Sequence, residues 1–170
     1  MATQLKSPGE ALEIAKRYWD ETPPVRVFEL ATELGLGPVP AALPDHISGM
    51  IRRVGDRWEC VYNQGHARVR QRFTVAHEIG HFIYHRSLLH QGVGDTLAYR
   101  AEGSELPNPN ITREQEWQAN NFASNLLVPT RWLRAAQAVG INDVKDLARH
   151  FDVSETVMRI KLRLPLPDAA

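Results

Sequence analysis

Phe73-Thr74-Val75-Ala76-His77-Glu78-Ile79-Gly80-His81-Phe82-Ile83-Tyr84-His85 is the segment from which the rest of the chain can be read. Its centre, His77-Glu78-Ile79-Gly80-His81, is an H-E-x-x-H pattern. On a helix, residues four apart lie about 40° apart around the axis and one turn along it. Both imidazoles can therefore reach one metal ion, and Glu78, beside them but off their line, can take a proton from water. Two imidazoles with a carboxylate suit zinc, with another divalent ion such as manganese as the alternative. Chance alone produces such a pattern in about 2% of shuffled chains of this composition, so its surroundings have to decide. Between Phe73 and His85 the one Lys, Arg, Asp or Glu is Glu78. Phe73, Ala76, Ile79, Gly80 and Ile83 form an apolar side, and Val75 and Phe82 flank the strip beyond it. Thr74, His77, Glu78, His81 and His85 are thus a narrow polar strip on a helix meant for burial. A solvated face would carry Lys and more Glu.

A catalytic zinc takes a third protein ligand and keeps one position open. His85, His66, His90, Glu102, Glu105, Glu114 and Glu116 are the candidates. His85 is eight residues from His77, about 12 Å along a regular helix, too far to share one ion. It is better read as a group behind the ligands, or as a plain helix-end histidine. His66, His90, Glu102 and Glu105 fall in loop-like stretches. Glu116 has more behind it. From Arg113 to Val128 the residues Ala119, Phe122, Ala123, Leu126 and Leu127 mark an apolar helix face, and Glu116 falls inside that face while Glu114 falls opposite it. A carboxylate aimed at a core is costly unless a metal or a cation such as Arg70 or Arg72 takes it up. Asn120, one turn later, is placed to hydrogen-bond a ligand histidine.

Around these two helices the chain is ordinary globular protein. Its 170 residues suit one domain, and 43% hydrophobic with 24% charged residues can build a core. Lys and Arg total 20, as do Asp and Glu, for a formal net charge of zero. That balance argues against a surface built to hold nucleic acid or an anionic membrane. Cys60 stands alone and makes no internal disulfide, no apolar run reaches membrane-spanning length, and the start carries no apolar export segment. These point to the cytoplasm. Ser7, Pro8 and Glu10 open a helix over 7–20. A shorter helix follows from Val27 to Leu34. The Gly- and Pro-rich stretch 35–47 reads as loop, and 48–63 as a hairpin turning at Gly55-Asp56. A helix over Arg68 to His85 precedes a long loop that runs past Pro109. Thr112 and Gln115 cap the next helix, and three more follow: Thr130 to Val139, Asp143 to His150 and Ser154 to Arg163.

With these residues in place, the chain resembles the ImmA/IrrE family of metallopeptidases. The likeness is carried by Arg70 to His81, by Glu116-Trp117-Gln118-Ala119-Asn120-Asn121-Phe122-Ala123 and its continuation Leu126-Leu127-Val128-Pro129, and by Leu147 to Ser154. The resemblance implies an α+β, zincin-like fold, mostly helical, with a small antiparallel sheet packed on the H-E-x-x-H helix. It implies one metallopeptidase domain over residues 7–165, with 141–164 a helix-turn-helix-like part docked on it. It implies zinc held by His77, His81 and Glu116, with Glu78 as general base. Members of the family cut helix-turn-helix repressors and so release stress-response or mobile-element genes. Others pair with such a regulator as toxin–antitoxin-like modules, where a partner-binding role without proteolysis is the alternative. Val128 stands where the family usually has Met.

The expected activity is peptide-bond hydrolysis, with Glu78 passing a proton to the leaving amine. Tyr84, His85, His90 and Tyr99 are candidates to steady the oxyanion. An extended substrate is expected to add a strand to the hairpin edge at 48–63. Residues 141–164 carry Lys145, Arg149, Arg159, Lys161 and Arg163 against Asp143, Asp146, Asp152 and Glu155. A net charge of +1 is thin for phosphate binding, so these helices are expected to dock on the domain rather than bind DNA, and a repressor protein as partner is what the resemblance implies.

Overall fold

The computed structural model describes residues 6–89, 96–97 and 111–166. Helix α1 (Pro8–Trp19) opens on the expected capping box, with Ser7 Oγ accepting from Glu10 N and Glu10 accepting from Ser7 N. It buries Ala11, Ala15 and Tyr18 in the common core, which α2 (Val27–Glu33) shares. The Tyr18 hydroxyl donates to Glu33 Oε2 at 2.9 Å and ties the two helices together.

Four strands follow: β1 (Leu36–Ala41), β2 (Gly49–Val54), β3 (Arg57–Asn63) and the two-residue β4 (Thr96–Leu97), in the order β1-β3-β2-β4. β2 and β3 form the expected hairpin, with Gly55 at φ +60 in the turn, a conformation that suits glycine. The sheet is mixed rather than antiparallel, because residues 36–41, expected as loop, pair in parallel with β3. Pro38 and Pro40 hide this strand from a sequence reading. Spaced by two, they turn their missing N–H groups to the same side, which a strand at the sheet edge tolerates. The hairpin edges expected to receive a substrate strand are also taken, β3 by β1 and β2 by β4 at Ile51 and Arg52.

Helix α3 (Arg68–Tyr84) runs through the middle of the core, followed by the short α4 (Arg86–Leu89). On one side it meets the sheet, where Trp58 packs edge-on to Phe82 at 5.8 Å. There Gly49 makes the contact possible, since a Cβ on it would stand 2.5 Å from Thr74 Cγ2. On the other side α3 meets α5 (Arg113–Leu127), which opens on the Thr112/Gln115 capping box. Here Gly80 sets the spacing. A Cβ on it would stand 3.1 Å from Ala119 Cα and 3.2 Å from Phe122 Cδ1.

Helices α6 (Thr130–Ala138), α7 (Val144–Phe151) and α8 (Glu155–Lys161) follow, with ends within two residues of those expected. Leu147, Ala148, Phe151, Val153 and Met158 join the same core as α3. Arg72, 2% exposed, donates from Nε to Asp152 O at 3.0 Å, and Arg68 Nε donates to Asp152 Oδ2 at 2.9 Å. These bonds hold the turn between α7 and α8 against the start of α3. No helix among the described residues is long and apolar enough to cross a membrane.

Replacing Gly80 by Ala gains about 1 kcal/mol of helix propensity. It also overpacks the α3–α5 contact, at a cost of about 1–3 kcal/mol. Gly80→Ala should therefore lower the urea midpoint, and a raised midpoint would contradict the close approach described above. Burial and the bond to Glu33 push the Tyr18 hydroxyl from 10.0 up to about 12. The unfolded chain then gives up this proton first, so the contribution is complete below pH 10 and is lost as pH rises to about 12. Tyr18→Phe should remove that part of the alkaline loss of stability, as measured by urea unfolding across this range.

Candidate metal centre

Helix α3 carries the motif at its most buried stretch: Thr74, His77, Glu78 and His81 are each 1% exposed. This is the buried polar strip that the sequence pattern predicts. His77 and His81, one turn apart, direct their Nε2 atoms at each other across 2.9 Å. The Glu116 carboxylate comes from the first turn of α5, where the helix dipole favours a negative charge. Its Oε1 lies 3.0 Å from His81 Nε2 and its Oε2 lies 3.4 Å from His77 Nε2. The expected Arg partners are occupied elsewhere, Arg72 with Asp152 and Arg70 with Ser48 Oγ at 3.1 Å.

The outer ring nitrogens determine what the inner ones can do. His77 Nδ1–H donates to Asn120 Oδ1 at 2.9 Å. His85 Nε2–H donates to Gln118 Oε1 at 3.0 Å, which leaves His85 Nδ1 as an acceptor for His81 Nδ1–H, also at 3.0 Å. Burial pushes the His85 pKa down, against the bond to Gln118, and so favours the neutral ring this chain needs. Both Nε2 atoms are thereby left presenting lone pairs to the same small space. Two lone pairs and a carboxylate at these distances repel unless a cation lies among them. In a tetrahedral zinc site with bonds of about 2.0–2.1 Å, neighbouring donors stand roughly 3.3 Å apart, close to the separations found here. The donor set therefore fits a divalent ion.

Burial alone would raise the Glu116 carboxyl, but positive charge shared with His77 and His81 outweighs it and holds the group well below the ordinary range. The thiol of Cys60 behaves otherwise. Full burial, and then the nearby Glu78 charge, push it well up, so it stays a protonated packing group.

Of the other expected candidates, Glu114 is exposed, and His66 Nε2 meets Asp45 O at 2.9 Å, away from the centre. His85 and Asn120 lie within hydrogen-bond distance of His81 and His77 respectively. Tyr84 is 40% exposed and packs on Phe122. His90, Tyr99, Glu102 and Glu105 lie outside the described residues. Gln118 was missed, since an exposed polar residue on a helix carries no sequence signal.

Residues 45–163 match the family described as Peptidase_M78, IrrE N-terminal-like domain. The chain belongs to this family. The ImmA/IrrE resemblance thus holds, and with it the α+β, zincin-like fold. Among solved structures, one described as a Mycobacterium tuberculosis transcriptional regulator is similar, with a TM-score of 0.59 and 20% identity. The match covers 95% of this chain and 48% of that one, so this IrrE-like chain spans about half that regulator's length. At that identity the likeness concerns the fold. No curated protein matches.

Removing a group that orients a ligand typically weakens metal binding about 10- to 100-fold. Asn120→Ala and Gln118→Ala should each do so in competition with a chromophoric chelator, with helical content unchanged. Unaltered affinity in both would show that neither amide orients its ring.

Proposed function

We propose that this protein is a zinc endopeptidase that cleaves a helix-turn-helix transcriptional repressor in the cytoplasm and so releases the genes the repressor holds. One observation carries the reading. His77 Nε2, His81 Nε2 and the Glu116 carboxylate converge, and Glu78 lies buried beside them on the same helix. A purely structural zinc is closed by four protein ligands. Among the described residues the cluster here has three, and the rigid helix that supplies two of them also supplies an acid fit for proton transfer. The choice of repressor as substrate rests on the family resemblance. A net charge of +1 over residues 141–164 favours a protein partner over DNA.

Zinc held there supplies a Lewis acid that activates water and polarises the scissile carbonyl. Glu78 takes the proton of the attacking water and hands it to the leaving amine. Asn120, and His85 with Gln118, keep both ligand rings in the tautomer that leaves Nε2 unprotonated. The apolar packing around α3 keeps bulk water from these bonds, which strengthens them.

Glu78→Gln keeps the shape of the side chain and removes the base. Zinc per chain should be unchanged, while cleavage of the cognate repressor, followed as one discrete fragment, should fall by at least about 100-fold. Cleavage at the wild-type rate would dispose of the mechanism.

A further inference from the structure

Beside the metal centre, α3, α5 and α8 enclose a groove of about 790 Å³, a size usual for ligand clefts. It leaves large apolar groups in water on facing walls, with Trp117 66% exposed on α5 and Ile160 57% exposed on α8. Among the described residues its charge has one sign. Arg70, Lys161 and Arg163 line it, and among the described residues no carboxylate does.

One of these cations is partly desolvated, and another sits on a strained backbone. Lys161 is half-buried, and its Nζ donates to Asn125 Oδ1 at 2.6 Å. Among the described residues it has no carboxylate within ion-pair distance, so a partly desolvated ammonium is held by a neutral amide alone. Arg163 ends α8 at φ +58, the left-handed position that closes a helix and that glycine fills without strain. Leu164 N donates to Arg159 O at 2.9 Å and completes that turn. An arginine there accepts backbone strain and adds a guanidinium to the groove.

We propose that this groove binds an acidic, amphipathic segment of the protein on which the metal centre acts, an inference that rests on the peptidase reading above. Apolar side chains of the segment pack between Trp117 and Ile160, and its carboxylates meet Lys161 and Arg163. A nucleic acid strand would use cations and an aromatic ring as well, but the aliphatic wall of Val157 and Ile160 suits apolar peptide side chains better than stacked bases. The groove also adjoins the centre, since Asn120, one of its lining residues, holds His77. Segment binding thus fixes the substrate close to the scissile site without using the metal ligands.

The test is calorimetry on the zinc-loaded Glu78→Gln protein, which binds without cutting. The probes are a synthetic peptide with Leu on one helical face and Glu on the other, its Leu/Lys counterpart, and an oligo-dT strand. The Leu/Glu peptide should bind at least about tenfold more tightly than either other probe. Lys161→Glu and Ile160→Asp should each weaken it at least about tenfold, with zinc content and unfolding temperature unchanged. Equal binding of the two peptides, no response to either substitution, tighter binding of oligo-dT, or a dimer that Ile160→Asp dissociates would each overturn the proposal. The two readings fail separately. If the peptide binds but the wild-type chain cuts no repressor, the groove stands and the activity falls. If cleavage is normal but the peptide does not bind, the reverse holds.

Discussion

Two buried imidazole nitrogens face each other across 2.9 Å, each with its other nitrogen already committed as a donor. Left alone, that arrangement sets two lone pairs and a carboxylate against one another inside the protein. A shared divalent cation would convert the repulsion into attraction. The rest of the architecture follows from holding these three donors together.

The holding is done by packing. Helix α3 is pressed between the sheet and α5, and at both contacts a glycine permits an approach that a methyl group would block, Gly49 against Thr74 and Gly80 against Ala119. The second contact matters most to the centre, because Gly80 lies between the two histidines while Ala119 lies three residues after Glu116. Bringing the helix backbones close here is what lets a carboxylate from the first turn of α5 reach both rings. Polar groups then refine the arrangement. Asn120 and Gln118, on the same helix as Glu116, reach back to the rings of α3 directly or through His85. The helix that supplies the third donor therefore also orients the other two.

Most of this was legible in the chain. The polar strip from Thr74 to His85 is visible because every neighbouring position is apolar. Glu116 is visible because it interrupts an apolar face at helical spacing. The capping boxes at Ser7 and Thr112 mark helix starts through local chemistry that tertiary context does not override. What escaped depends on long-range contact. β1 was hidden by Pro38 and Pro40, whose cost disappears only when the strand has one free edge. The pairing of β4 with Ile51 and Arg52 leaves no periodic trace in two residues. Gln118 looks like any solvated glutamine until His85 is placed opposite it. The groove under α8 likewise needs three helices from distant parts of the chain.

The claim on which all of this turns is that His77, His81 and Glu116 hold one divalent ion. X-ray absorption at the zinc edge of the zinc-loaded protein tests it most directly. The account predicts two imidazoles and carboxylate or water oxygens at about 2.0–2.2 Å, with one imidazole lost in His81→Ala. Sulfur at about 2.3 Å, or a spectrum that His81→Ala leaves unchanged, would contradict it.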